Sequence, residues 1–568
     1  PVACRPRIVQ YARWFCCERM MSKREQLPPP RVLIKAMLAP LWLLCCTLLA
    51  PLAMADAVDV ARQKITLLLG QEPPSLNSIK ATDQVSFFIL GHTHEGLLRY
   101  DAQGQLVGGV ARDWKLDERS ATFWLRDDAR WSDGQPVTAH DFVFAWQRVV
   151  DPAMASEYAS ILYPIKNAKA ISEGRLPPEQ LGVRALDERT LQVDLEQPTA
   201  YFLQLTAFGV YLPIREDFYR AQGTRYGAEQ DRLLYNGPFR LARWVHGARL
   251  TLVKNEQYWN RAQTVLNEID LPYVTSDSTA AYNLFKDNKV ALVGLSAEEL
   301  NDALRQRVKI RIFPAGSLFY LEFNHRAGRI TGNRHFRRAI QRVADPQELV
   351  NRVVGVPGTL PGRSLFPVWI KGVNGSFRKE FPAPRVTIDP NQARQELELA
   401  RQQLGLERFP PLVYLTGDSP TAAKQGEYLQ NLLRTQLGLE LKIDKQIFKQ
   451  RLAKMLAGEF DLVAAGWGPD YDDIMTFGDL FASWNINNRG RYANPDYDHW
   501  VAVARDATDP RLRMEAMAAL QRLVIEDAVI IPQYESGSVY LQHRQLKGVV
   551  RRVIGTDPDF TQARVVAP

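Results

Sequence analysis

The stretch WSDGQPVTAHDFVFAWQR, residues 131–148, contains two grammatical units in eighteen residues. Trp131-Ser132-Asp133-Gly134 is a turn, because a Ser-Asp-Gly run supplies the short polar side chains and free backbone that turns need. Thr138 with Asp141 three residues on resembles a capping box, in which each side chain satisfies a backbone N–H at the start of a helix. The spacing predicts a helix through Val150, stopped by Asp151-Pro152. Short apolar runs flank this unit: Ile65–Leu69, Leu97–Arg99, Thr122–Leu125 and Leu191–Leu195 read as strands. Internal repeats and low-complexity tracts are absent from the sequence, and Val356–Arg363 and Phe381–Pro384 read as Pro/Gly loops.

A second region, Asp389–Asp473, alternates helix and strand. Asp389-Pro390 opens a helix to about Leu404, Leu412–Thr416 is a strand, and Ser419-Pro420 caps a helix through Leu437 that Gly438 closes. Leu439–Ile443, Gln446–Ala457 and Phe460–Ala465 continue as strand, helix and strand, with Gly458 ending the last helix. Such spacing implies a parallel sheet with right-handed crossovers, whose ligands sit just beyond the carboxyl ends of the strands. That place is taken by Gly466-Trp467-Gly468-Pro469-Asp470-Tyr471, which combines close backbone approach, an apolar wall and a fixed negative charge. The same run also reads as an ordinary Gly/Pro/Asp turn.

The chain has 568 residues, 46% hydrophobic and 24% charged, which excludes a mostly disordered chain and a polytopic membrane protein. Its net charge of +8 suggests a nucleic-acid partner until the charge is located. Residues 1–55 hold eight of the 71 basic residues, two of the 63 acidic ones and all five cysteines. Arg31–Lys35, the apolar run Met37–Leu52 and Ala53-Met54-Ala55 form the three parts of a secretory signal, with cleavage expected after Ala55. A lipidated cysteine and a retained anchor are the rival readings of this leader; neither Cys45 nor Cys46 follows a small residue. Residues 1–19 read as translation upstream of a start at Met20, Met21 or near Val32. The remaining 513 residues carry a net charge of only +2 and no cysteine, so the nucleic-acid hint and any thiol chemistry go with the leader.

With Ala111–Asp128 before it, the 131–148 stretch resembles the signature of the extracellular solute-binding proteins that serve peptide ABC importers, in particular their oligopeptide-binding branch. Asn236-Gly237-Pro238-Phe239, Tyr258-Trp259, Glu322-Phe323-Asn324, Asn333–Ile340 and Phe460–Tyr471 match in order along essentially the whole mature chain. The resemblance implies an α/β, periplasmic-binding-protein-like fold: two hinged lobes closing over the ligand plus an additional small domain. Its implied segments are 56–94 and 199–315 for lobe I, 95–198 for the small α/β domain, 316–533 for the peptide-binding lobe II, and 534–568 for the return to lobe I. It further implies a monomer in the periplasm, a peptide ligand laid down as an added strand, inner-membrane permease subunits as partners, and no cofactor or nucleic acid. By the same resemblance Asp470 pairs with the peptide's α-ammonium, Gly466 and Gly468 meet its backbone, and Trp467 and Tyr471 lie at the pocket. Glu72 lies near the ligand, while Phe448, Leu452 and Tyr320 occupy side-chain pockets. The pattern departs at Ala464, where relatives commonly carry an arginine that can meet a peptide carboxylate. Carboxylate recognition is then absent or displaced to a residue such as Arg489 or Arg491, which leaves room for a modified or cell-wall peptide.

Other readings are weaker. A receptor for a dipeptide, murein peptide, haem or metal complex is the nearest alternative. A secreted serine hydrolase or transpeptidase would use Ser376 and Lys379, an S-x-x-K match without its companion motifs. His92-Thr93-His94-Glu95 alternates faces if it is a strand and shows no third ligand, so it is not read as a metal site. Arg334–Arg342 is read as a solvated helix face rather than a nucleic-acid patch.

Overall fold

The computed structural model describes residues 56–568; the expected signal segment and cleavage after Ala55 lie outside the described residues. Helix Ala139–Val150 begins at the N-cap Thr138 as expected. Asp141 closes the capping box and more: its Oδ2 accepts from the Thr138 backbone N–H at 2.8 Å and from the Trp131 indole at 3.1 Å. One carboxylate thus ties the turn to the helix, and burial pushes its pKa up to about 6. Phe142, Ala145, Trp146 and Val149 line the buried stripe, and the Trp146 indole donates to the carbonyl of Tyr211 at 3.0 Å. This helix packs beside a four-stranded antiparallel sheet ordered Ala111–Leu116, Ser120–Leu125, Thr190–Asp194, Val183–Ala185.

A second sheet is ordered Val58–Asp59, Lys64–Leu69, Glu268–Val274, Arg249–Lys254, Phe239–Val245, with Lys64–Leu69 parallel to Glu268–Val274. The third is the largest. Its main path runs Leu292–Gly294, Ile530–Gln542, Arg311–Phe323, Leu462–Trp467, Leu412–Gly417, Leu441–Gln446. Two strands of 13 residues, Arg311–Phe323 and Ile530–Gln542, pair antiparallel along almost their full length. Their register breaks between Pro314 and Leu318, where Gly316 adopts φ +76°. The backbone of Ala291 donates to Thr66 of the second sheet at 2.8 Å, so the Arg311 end of this long pair lies beside one sheet while the Phe323 end belongs to the other lobe.

The parallel strands Leu441–Gln446, Leu412–Gly417 and Leu462–Trp467 are those expected from the alternating pattern. Helix Pro390–Leu404 precedes them and helices Pro420–Leu437 and Phe448–Ala457 separate them, with Gly438 and Gly458 ending the latter two in the left-handed region at φ +66° and +73°. The last strand is displaced from its expected bounds by two residues. Asp461 precedes it, with its carboxylate accepting from the Val413 N–H at 2.8 Å and from Arg329 at 3.0 Å. Gly466 and Trp467 therefore end a strand rather than begin a loop.

Candidate functional site

The ladder between Leu412–Gly417 and Leu462–Trp467 is confined to Leu462 and Val463. Beyond Val463 the two strands part, leaving one edge of Ala464–Trp467 without a strand partner among the described residues while Arg311–Phe323 covers the other edge. A cavity of about 420 Å³ opens in that gap. Its floor comes from the third sheet and helix Phe448–Ala457, and its opposite wall from Gln71, Thr82–Val85, Phe87 and Tyr158. A free strand edge facing a cavity is the geometry that accepts an extended main chain.

Asp470 lies at one end of this edge. Its backbone N–H donates to Thr476 Oγ1 at 3.0 Å, and Tyr158 Oη donates to its Oδ2 at 3.0 Å. Burial holds its carboxyl well above the ordinary range, and the charge on Asp479 acts in the same direction. Among the described residues no cation forms an ion pair with it, so the site favours a ligand that brings one. The Trp467 indole N–H is buried on the cavity wall with no partner among the described residues. Gly468 meets the other lobe closely enough that a Cβ there would stand 1.7 Å from the Gln84 amide nitrogen.

Gly466, Trp467, Gly468, Asp470, Tyr320, Phe448, Leu452 and Arg489 all line the cavity. Three expected residues do not. Tyr471 is 2% exposed and stacks on Tyr201 with ring centroids 5.9 Å apart, a packing role set by the turn of the chain after Asp470. Glu72 accepts from His246 Nδ1 at 2.7 Å, from the Trp244 indole at 3.1 Å and from the Gly247 N–H, which fastens it to the hairpin of the second sheet; its neighbour Gln71 reaches the cavity instead. Arg491 is exposed at φ +59°. Arg489 is inside but engaged: its guanidinium stands 2.6 Å from Glu157 in an ion pair and donates to Asn487 Oδ1 at 3.0 Å. Facing it, Glu322 accepts from the Gly490 N–H at 2.5 Å, and burial pushes this carboxyl up to about 7.

Other sequence features settle into structural duties. His92 and the residues before it form a helix, Gln84–Thr93, rather than a strand. His92 is fully buried, joined through Nδ1 to the Phe88 carbonyl at 2.7 Å and accepting from the Phe560 N–H at 3.1 Å. Glu95 accepts from Tyr258 at 2.6 Å and from the Trp259 indole. Among the described residues no group of three or more His, Asp or Glu could hold a metal. The arginine-rich helix Arg334–Gln341 departs from the solvated-face reading. Arg337 is 4% exposed and donates to the carbonyls of Thr331, Gly332, Asp527 and Ala528, because its guanidinium closes the ends of neighbouring segments. Ser376 precedes the short helix Phe377–Glu380 and Lys379 is exposed; neither lines the cavity.

Reading the sequence missed Glu157, Tyr158, Glu322, Asn487 and Arg451. The first two come from a segment more than 300 residues before Asp470, and no local pattern announces that pairing. Arg451 was accessible in principle, since a cation in the first turns of a helix beside the open strand faces the expected ligand position.

A sequence model of the bacterial extracellular solute-binding proteins, family 5 (middle), matches residues 105–489. The dipeptide-binding protein DppE of Bacillus subtilis is 29% identical over 503 residues, covering 88% of this chain and 92% of its own length. The structure of Listeria monocytogenes OppA bound to peptide superimposes with a TM-score of 0.84 at 32% identity, covering 89% of this chain and 100% of that one. The Escherichia coli murein tripeptide-binding protein MppA matches in one structure with a TM-score of 0.82 at 27% identity, covering 90% of this chain and 100% of its own. Its unliganded open form reaches only 0.59 at 28% identity, over 90% of this chain and 98% of its own. The lower score distinguishes this structure from that open arrangement.

Proposed function

The chain belongs to the bacterial extracellular solute-binding proteins of family 5, and we propose that it captures short peptides in the cavity between its lobes and delivers them to an inner-membrane ABC importer. The observation that carries the reading is the unpaired edge of Ala464–Trp467 ending at a desolvated aspartate without an ion pair among the described residues. Main-chain hydrogen bonds along that edge, each worth about 0.5–1.5 kcal/mol net, provide affinity that ignores side-chain identity. Asp470 receives the α-ammonium, whose charge compensates a carboxylate that is costly to bury alone. Phe448, Leu452 and Tyr320 provide walls for side chains. Several main-chain bonds with this anchor make micromolar affinity, about −8 kcal/mol, attainable.

The lobes hinge where the register of the two long strands breaks, near Gly316. The proposed lobe and small-domain limits fall at 94/95, 198/199, 315/316 and 533/534. In this reading the leader is cleaved after Ala55, and the mature protein works as a periplasmic monomer that binds and releases without chemistry. Similarity to dipeptide- and murein-peptide-binding proteins keeps cell-wall peptides within the proposed ligand class. Titration calorimetry with tri- and tetraalanine tests the reading: N-acetylation should weaken binding well over tenfold. Equal affinity for acetylated and free peptides, or cleavage of the peptide, would sink it.

A further inference from the structure

Two cations line the cavity, and they differ in what they do. Arg489 is neutralised by Glu157. Arg451, on helix Phe448–Ala457, forms no ion pair with any described residue. One terminal nitrogen, Nη1, donates to the carbonyl of Ala464 at 2.8 Å, and Nε is buried with no partner among the described residues. The Phe448 ring lies 5.4 Å from the guanidinium carbon, a weak compensation for a buried charge. Desolvation lowers the pKa of Arg451; Tyr414 and then Asp418 act against that shift, and Asp418 is exposed just after strand Leu412–Gly417 and forms no ion pair with Arg451. A guanidinium offers five N–H donors in a planar fork, so most of this one's capacity is unspent.

Position gives that spare capacity a meaning. The Ala464 carbonyl belongs to the first residue after the parallel ladder ends, so Arg451 closes one end of the free edge and Asp470 the other. The cavity is therefore bipolar along the line on which an extended main chain would lie. We propose that Arg451 receives the carboxylate of the ligand, so that the site reads a zwitterion: ammonium at Asp470, free carboxylate at Arg451. The inference rests on the peptide reading above and deepens it. It replaces Arg489 and Arg491 as carriers of that role, the first already paired and the second outside the cavity. It also gives a length rule. Six residue steps separate Ala464 from Asp470, at most about 20 Å at ~3.3 Å per residue, so a peptide held at both ends has no more than about six residues.

The carboxylate could be the terminal one or that of an acidic side chain, and the test separates the two. Calorimetric titrations compare tri- and tetraalanine as free acids, as C-terminal amides, and as amides carrying one glutamate. They are run on the full-length mature protein, on Arg451→Gln and on Arg451→Lys. Amidation should weaken wild-type binding at least tenfold, Arg451→Gln should bind acid and amide alike at the weakened level, and Arg451→Lys should recover part of the difference. If a glutamate-bearing amide regains the loss in wild type but not in Arg451→Gln, the site takes a side-chain carboxylate, and the terminal assignment is overturned. An amide penalty that persists unchanged in Arg451→Gln overturns Arg451 altogether, provided that variant melts like wild type; Arg451→Met, which keeps the apolar stem without the charge, supplies the same comparison if it does not. Peptides that bind with full dependence on a free N-terminus but none on a free C-terminus refute this inference alone. Failure of every peptide to bind removes the peptide reading and this assignment together.

Discussion

Glu157→Gln separates closure of the cavity from stability of the fold. Arg489 and Glu157 are 7% and 18% exposed, their charged atoms lie 2.6 Å apart, and they join the segment before Tyr158 to the wall that carries Asn487 and Glu322. Removing one partner of a buried ion pair costs about 3–5 kcal/mol when the remaining charge cannot escape. Here it can escape, because parting the lobes returns Arg489 to water, so the penalty falls on the closed arrangement rather than on folding. Glu322 still faces Arg489 and Asn487 still accepts from it, which reduces the loss to about 1.5–2.5 kcal/mol, taking half of the full penalty. Since the ligand is held by the closed form, that bias enters the apparent Kd directly, as about a 10- to 70-fold weakening. Calorimetry at neutral pH should show this loss, while the thermal midpoint of the ligand-free variant stays within a few degrees of wild type. An unchanged Kd would refute the latch. So would a large fall in the ligand-free midpoint with affinity preserved, which would make the pair a strut of the fold.

Asp470→Asn should weaken free-amino peptides by more than a hundredfold, as a buried ammonium loses its partner, and should erase the difference between free and acetylated peptides in the same titration. Tyr158→Phe deletes a hydrogen bond to a charged oxygen, 3.0 Å long and worth about 1.5–3 kcal/mol, so affinity measured at neutral pH should drop tenfold or more; an equal Kd would show that Tyr158 only fills space. Because burial raises the Asp470 pKa and only its ionised form attracts an ammonium, Kd measured from pH 8 downward should rise well above the pH at which an ordinary carboxylate titrates; a Kd flat down to pH 5 contradicts the assignment. Glu322, at about 7 in the fold against 4.5 for the free group, binds more protons folded than unfolded between those values, so its contribution to stability is present below about pH 4.5 and is lost as pH rises through about 7. Glu322→Gln should therefore flatten that part of the stability–pH curve in urea unfolding, and an unaltered slope would count against it. Asp141→Ala removes a capping box and strands the Trp131 indole, at a cost of about 2 kcal/mol, readable as a lower urea midpoint.

What the sequence revealed depended on how far apart the cooperating residues stand. Thr138 and Asp141, Ser419 with Pro420, and the glycines after Leu437 and Ala457 each act within one turn of their neighbours, so local chemistry located their helix ends. The ligand's place near the end of Leu462–Trp467 was foreseeable, because parallel sheets bind at the carboxyl ends of their strands, whereas the open edge within the strand was not, since it depends on where the ladder to Leu412–Gly417 stops. Tyr158 and Glu157 were hidden by distance along the chain, since only tertiary packing brings them to Asp470 and Arg489. The misplacement of Glu72 and Tyr471 has a simple origin: each adjoins a cavity-lining residue, Gln71 and Asp470, and one step along the chain turns a side chain toward a different neighbour. Arg337 shows the limit of charge counting, for a guanidinium that satisfies four carbonyls is not a surface charge.

The two ends of the cavity impose different kinds of selection. Between them, the free edge of Ala464–Trp467 offers backbone donors and acceptors that every peptide can match, and so discriminates little by sequence. The ends discriminate by charge and spacing, because a buried carboxyl or guanidinium left without a counter-charge is penalised in the closed form. A ligand that reaches Asp470 but falls short of Arg451 compensates one end only, unless water enters to serve the other. Closure also brings Tyr158 onto Asp470 and Glu157 onto Arg489, so ligand and latch stabilise the same arrangement and each strengthens the other. The amide penalty at Arg451 should consequently shrink in Glu157→Gln, where a looser cavity lets water replace the missing carboxylate. An undiminished penalty in that background would mean that the carboxylate is read without closure.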